Sequence, residues 1–301
     1  MRVTNFKSNI LDNAVMLSNG SNPFSDVYSL KNDRVFKVIK FPTKTAGTKK
    51  FDRLYDSLCD KLKYSESLSC VPHLAIPDEV SVDADGKVIG FYRPYVEGKK
   101  FDELVESNNN QEFITQFFID LCDAVDNLHE NHIIVPDLFD LDNILYDPET
   151  RSITFADPTK FQIGNNHAPK VSEGLHVADN SVLRSLKYLN FDGLFTEELD
   201  KLSLALSYFY NLTGYNLLNK KIFQQLDEDV PLDEMMMARA RVGKFLVSIG
   251  VDKNDTDTLE GLRNPFCATI DNDKPQTLIK RINDNYTTVG LSRSKSKLIS
   301  K

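Results

Sequence analysis

Residues 135–158 constrain this chain more than any other stretch. Ile144-Leu145-Tyr146 and Ser152-Ile153-Thr154-Phe155 are two short apolar runs. They flank Asp147-Pro148-Glu149-Thr150, a turn sequence with Pro in its second position, and so predict a β-hairpin. A hairpin here brings Asn143, just before the first run, to the same end as Asp157, just after the second. Asp137 lies upstream, in Val135-Pro136-Asp137-Leu138-Phe139-Asp140-Leu141-Asp142. One Asp, an Asn opening a strand and a second Asp ending another strand form the set that metal-assisted phosphoryl transfer uses. One carboxylate orients the nucleophile, while an amide oxygen and the other carboxylate hold Mg²⁺ against the phosphates.

The region before this stretch reads as strand-rich around one helix. Val27-Tyr28-Ser29-Leu30 and Arg34-Val35-Phe36-Lys37-Val38-Ile39-Lys40 are apolar-alternating runs, with Lys31-Asn32-Asp33 as the turn between them. Residues 51–62 carry Phe51, Leu54, Tyr55, Leu58 and Leu62 at helical spacing. Residues 80–82 and 88–92 read as strands joined by Asp83-Ala84-Asp85-Gly86. After Gly98 the pattern turns helical. Phe113, Phe117, Leu121, Ala124 and Leu128 mark one helix face, residues 199–212 form a strongly apolar helix ended by Thr213-Gly214, and residues 235–247 form another with Gly250 past its end. The Met235-Met236-Met237 run fits core packing, and a short last helix begins at Leu278. The expected fold class is α+β: a small antiparallel β-rich N-lobe over 1–97, a mainly helical C-lobe over 98–290 and a basic, flexible tail over 291–301.

Composition narrows the function classes. A chain of 301 residues buries a core large enough for such a two-lobed unit. No apolar run approaches the ~20 residues of a membrane span, and residues 1–11 lack the apolar core of a signal peptide. Cys59, Cys70, Cys122 and Cys267 lie far apart, without metal-ligand spacing and without clustered histidines. They are expected to be reduced, mostly buried thiols of a cytoplasmic protein. A net charge of −8 argues against a broad nucleic-acid surface.

From about Leu17 to Tyr215 the chain resembles the protein kinase superfamily, as a divergent bacterial-type or viral-type Ser/Thr kinase-like protein. Leu17-Ser18-Asn19-Gly20-Ser21-Asn22-Pro23-Phe24-Ser25-Asp26-Val27-Tyr28 is similar to the phosphate-covering loop and its strands. Val35-Phe36-Lys37 resembles the third-strand lysine motif, and Pro94-Tyr95-Val96-Glu97-Gly98 the hinge. Leu128-His129 leads into the stretch similar to the catalytic loop, and Asp200-Lys201-Leu202-Ser203-Leu204-Ala205-Leu206 begins a helix like the family's long buried one.

The resemblance implies ATP and Mg²⁺ as cofactors and assigns roles. Asp137 is the implied catalytic carboxylate, and Lys37 the cation that pairs with the phosphates. Gly20, Ser21 and Val27 line the nucleotide, and Pro94 offers adenine a carbonyl while Val96 offers an N–H. Asn143 and Asp157 hold the metal. Lys37 then needs an acid on the following helix, with Asp52, Asp56 and Glu66 as candidates. Asp200 is implied to bond the backbone of the catalytic loop.

The sequence departs from the family at several of these points. Asp137 and Asn143 are six apart instead of five, so Asp142 competes with Asn143 as the metal ligand; Asn143 is favoured because it directly precedes a strand. The family's His-Arg before the catalytic Asp is Val135-Pro136, and the Phe-Gly after the metal Asp is Pro158-Thr159. The phosphate loop keeps one glycine, Gly20, and Arg93 stands where an apolar or small gatekeeper is usual. A buried Arg there requires a carboxylate partner, which an acid of the first helix would supply. The leading expectation is ATP-dependent phosphoryl transfer to a hydroxyl of a protein Ser or Thr. The departures favour a second, a pseudokinase that binds nucleotide as a scaffold or regulator. A small-molecule kinase of the same superfamily is a third.

Overall fold

The computed structural model describes residues 1–17, 25–40, 49–64, 67–107, 110–136, 138, 141–165, 194–213, 277, 279–280 and 283–284. In chain order its elements are β1 (Arg2–Asn5), β2 (Val15–Met16), β3 (Ser25–Leu30), β4 (Arg34–Ile39), α1 (Lys49–Tyr64), β5 (Glu79–Val82), β6 (Val88–Pro94), β7 (Lys99–Lys100), α2 (Phe101–Ser107), α3 (Gln111–Glu130), β8 (Ile133–Ile134), β9 (Ile144–Asp147), β10 (Ser152–Phe155), β11 (Gln162–Ile163) and α4 (Glu197–Thr213). The protein is of the α+β class. Two compact units divide it: Met1–Lys100 with Glu130–Ile133 and Asp142–Pro169, and Phe101–His129 with Ile134–Leu141 and Lys170–Lys301. The helix expected over 235–247 lies outside the described residues, as does Cys267.

The first unit is built on a six-stranded sheet in the order β1-β5-β6-β4-β3-β2. Its neighbours are antiparallel except β1, which adds to β5 in parallel, Arg2 opposite Glu79. The β3–β4 turn needs Asp33 at φ 54°, a left-handed conformation that Asp and Asn adopt more readily than most residues. The β5–β6 turn needs φ 78° at Gly86, and the Asp83 carboxylate braces it by accepting the N–H groups of Asp85 and Lys87 at 2.9 and 2.8 Å. One sheet face is aromatic, with Phe36 and Tyr92 stacked at 4.3 Å. Leu62 of α1 is buried with Val80 and Phe91, and Leu58, Val82 and Val88 pack around them. Burying a ring such as Phe91 is worth about 2 kcal/mol, so this apolar stripe is what holds α1 to the sheet.

The predicted hairpin forms as β9 and β10, with Ile144 opposite Phe155. Asp147 organises its turn, accepting from the Glu149 N–H at 3.0 Å and the Thr150 hydroxyl at 2.6 Å. The hairpin belongs to the first unit because the segment before β5 holds its far strand. Phe155 N donates to His73 O at 2.7 Å, Ala75 N donates to Phe155 O at 3.0 Å, and His73 Nδ1 meets Ile153 O at 2.9 Å.

The second unit packs helices around aromatic rings. Asn110 caps α3, its Oδ1 accepting the Phe113 N–H at 2.7 Å. The 3.6-residue period of α3 buries Ile114, Phe117, Leu121, Val125 and Leu128. Phe117 packs on Phe101 of α2 at 4.4 Å, Phe118 packs on Tyr208 of α4 at 5.3 Å, and the Tyr208 hydroxyl bonds Thr115 Oγ1 at 2.9 Å. Among the described residues no helix is long and apolar enough to cross a membrane. Of the described cysteines, Cys122 is buried and Cys59 half-buried, but Cys70 is exposed, which corrects its share of the burial expectation.

Candidate anion site and its supporting residues

The site begins at the centre of the sheet. Strand pairing sets Val27, Lys37 and Phe91 side by side across β3, β4 and β6. Lys37 is half-buried, and its ammonium lies 5.8 Å from the centre of the Phe91 ring. It ion-pairs with Asp157 Oδ2, so the acid that holds Lys37 comes from the end of β10. Of the helix acids considered for this role, Asp56 is exposed, and the side chains of Asp52 and Glu66 lie outside the described residues.

Asp157 is 6 % exposed. Pro158 follows it at the first position of a 3₁₀ turn, Pro158–Lys160, where its fixed φ suits the tight geometry and its missing N–H costs nothing. The Thr159 hydroxyl donates to Asp157 Oδ1. Both carboxylate oxygens are therefore engaged by donors. Burial alone would push this carboxyl up, but the charges of Lys37 and Lys160 outweigh it and hold the pKa down at about 2.

Two more cations belong to the cluster. Lys61, on α1, is 3 % exposed, and its Nζ donates to the Thr159 carbonyl at 3.0 Å. Burial lowers its pKa to about 8 against the opposing charge of Asp157. Arg93, on β6, is 7 % exposed and donates to the Pro94 carbonyl at 3.1 Å. Burial lowers its pKa too, with Asp157 again opposing. Among the described residues Arg93 makes no ion pair, and the carboxylate whose charge acts on it is Asp157.

Lys61 was not singled out from the sequence, yet a signal was present. It falls three residues after Leu58 and next to Leu62, on the stripe that α1 buries. A lysine on a buried stripe needs an anion or a carbonyl, and here the turn after Asp157 supplies both.

Asn143 closes a short 3₁₀ turn, Leu141–Asn143, just before β9. Its carbonyl accepts the Ala156 N–H at 2.8 Å, which sets it at the Asp157 end of the hairpin as the turn chemistry predicted. Its Nδ2 is buried and lacks a hydrogen-bond partner. Asp142 beside it is exposed. At the hinge-like segment Pro94 is exposed and Val96 half-buried, and the Pro94 carbonyl already receives Arg93. Gly20, Ser21 and Asp137 lie outside the described residues.

Mg²⁺ requires several oxygen ligands at about 2.0–2.1 Å. Lys37 and Thr159 each engage one Asp157 oxygen and leave lone pairs on both, so Asp157 and the amide oxygen of Asn143 are the groups that would hold it. Among the described residues no group of three or more His, Cys, Asp or Glu side chains is placed to hold a metal.

In the second unit Asp200 is fully buried on α4. Its Oδ2 accepts the Val135 N–H at 2.8 Å and contacts His129 Nε2 at 2.9 Å. Burial raises the Asp200 carboxyl, with His129 and the Val135 N–H opposing. Burial would lower His129, but its bond to Asp200 prevails and raises it. This contact fixes the backbone two residues before Asp137, which is the supporting role the sequence implied for Asp200.

No protein-family model matches the chain, and no curated protein matches it either.

Proposed function

We propose that the chain is a nucleotide-binding protein of protein-kinase-like, two-lobed fold, acting as a scaffold or regulator whose state depends on bound ATP or ADP. The observation that carries this reading is the ion pair between Lys37, on the central strand β4, and buried Asp157 at the end of β10. A buried lysine–carboxylate pair at the end of a hairpin is costly to desolvate, and its retention is accounted for by an anionic ligand that shares the cation. The test is a thermal-shift titration of the full chain with ATP, ADP and AMP, beside Lys37→Met. Stabilisation that grows with the phosphate chain and disappears in Lys37→Met supports the reading. Identical behaviour of wild type and variant would remove it.

Phosphoryl transfer to a protein Ser or Thr hydroxyl is the second reading, favoured by the Asp200 contact to Val135 N. A buried carboxylate spent on bracing the backbone beside Asp137 fits a loop whose aspartate must be positioned to orient a hydroxyl. ADP release with a generic protein acceptor, compared between wild type and Asp137→Asn, separates the two. Turnover abolished by Asp137→Asn supports transfer, and equal background in both leaves the binding role.

A further inference from the structure

Resting on the nucleotide-binding reading, we propose that Lys61 is a positioning residue that couples helix α1 to the Lys37–Asp157 pair. Phosphates bound at Lys37 then loosen the end of α1, and a constraint on α1 changes nucleotide affinity.

Two routes join α1 to the pair, and both lie within the first unit. The polar route is a chain of hydrogen bonds. Lys61 Nζ donates to the Thr159 carbonyl at 3.0 Å, the Thr159 hydroxyl donates to Asp157 Oδ1, and Asp157 Oδ2 pairs with Lys37. The turn closes on other carbonyls, Lys160 N on Asp157 O at 3.2 Å and Phe161 N on Pro158 O at 3.1 Å, so it does not itself use the carbonyl that Lys61 takes. The apolar route starts at the next residue. Leu62 is buried with Phe91, which stands opposite Lys37 across β4 and β6, its ring centre 5.8 Å from the Lys37 ammonium. Adjacent residues of one helix therefore brace the carboxylate that holds Lys37 and the ring beside it. Lys63, two positions on, behaves as an ordinary helix lysine: it is exposed and bonds Asp60 of the same helix at 2.9 Å.

Phosphate oxygens at Lys37 compete with Asp157 for one ammonium. The turn that bears Asp157 is then held less tightly, and through Thr159 and Lys61 so is the C-terminal turn of α1. Linkage makes the coupling reciprocal: holding α1 in place disfavours the phosphates by the same factor by which the phosphates loosen α1.

The test is amide hydrogen exchange of the full chain, read over residues 58–64 with and without ATP and MgCl₂, while calorimetry measures ATP binding in parallel. Wild type is compared with Lys61→Met, Lys61→Arg, Thr159→Val and Lys63→Met. In wild type ATP should speed exchange over 58–64 by about fivefold or more, against the general protection that a bound ligand gives. Lys61→Met and Thr159→Val cut the polar route at separate links, so both should bind ATP and lose this response. Lys61→Arg, which keeps a donor, and Lys63→Met should keep it. Thr159→Val leaves α1 itself untouched and carries the test if Lys61→Met does not fold. ATP bound by wild type with exchange over 58–64 unchanged or slowed overturns the coupling and leaves the nucleotide reading standing. A response retained in Lys61→Met or Thr159→Val, or lost in Lys61→Arg or Lys63→Met, overturns the coupling as well. No binding of ATP to wild type overturns both readings.

Discussion

The Lys61 ammonium donates to the Thr159 carbonyl at 3.0 Å, so a buried helix cation is fixed to the turn that carries Asp157. A carbonyl offers only a partial negative charge, and Asp157, whose charge also acts on Lys61, pairs with Lys37. Burial lowers the Lys61 pKa against the charge of Asp157, so stability should depend on pH.

Lys61 has a folded pKa of about 8, against 10.5 for an ordinary lysine. Between these values the unfolded chain binds the proton more tightly, so this residue makes stability rise as pH rises through the window. The gain is on the order of 3 kcal/mol when complete. Lys61→Met should remove it, being more stable than wild type at pH 7 and converging with it near pH 10.5. Urea unfolding of both proteins from pH 7 to 10.5 measures the difference. A gap that does not narrow as pH rises would mean that Lys61 is not the buried charge described here.

Asp157 has the opposite sign. Its folded pKa, about 2, lies below the ordinary 3.8, so its contribution is present above 3.8 and lost as pH falls through about 2. Asp157→Asn leaves Lys37 without its carboxylate, at a cost of about 3 kcal/mol at pH 7. The difference between the proteins should shrink toward pH 2. An equal urea midpoint at pH 7 would show that the pair adds nothing to folding.

The local elements of this site were legible in the sequence. Alternation gave β3, β4 and β6, the Asp-Pro-Glu-Thr turn gave the β9–β10 hairpin, and the hairpin set Asn143 at the Asp157 end. Two things were hidden. The partner of Lys37 was sought on α1, one element away, because a helix acid is a local expectation. The answer, Asp157, lies 120 residues along the chain and depends on the contacts of the hairpin with the His73 segment. Lys61 was passed over because a lysine on an amphipathic helix usually extends its charge into water. Its burial follows from the position of the Pro158 turn, which local periodicity does not encode.

Asp200 links His129 to Val135 in the second unit. Asp200→Ala removes the acceptor of a buried backbone N–H and of a buried ring nitrogen, so it should cost about 3 kcal/mol. The His129 pKa is raised in the fold, so its stabilising effect is complete below 6.5 and is lost as pH rises through the folded value. Wild type should lose this increment on going from pH 6 to pH 9, and Asp200→Ala should not. Parallel pH profiles for the two proteins would contradict the pairing.

Gly90 on β6 is where packing and the site meet. A Cβ there would lie 2.9 Å from two Phe36 ring atoms and closer still to the Lys37 carbonyl, nearer than real Cβ contacts come. The carbonyl belongs to β4 and cannot retreat without opening the β4–β6 pairing, in which Gly90 faces Val38 and Phe91 faces Lys37. Gly90→Ala should therefore destabilise the first unit by about 2 kcal/mol, the usual scale of an overpacked core. It should also move Lys37 relative to Asp157 and weaken ATP binding. Gly86→Ala is the comparison. Its Cβ would meet nothing within 4 Å, but φ is 78°, so it should cost about 1 kcal/mol from backbone strain alone and leave binding intact. Urea unfolding with ATP titration of both variants separates the two effects. Equal loss of affinity in both would show that general loosening of the sheet, and not displacement of Lys37, governs the site.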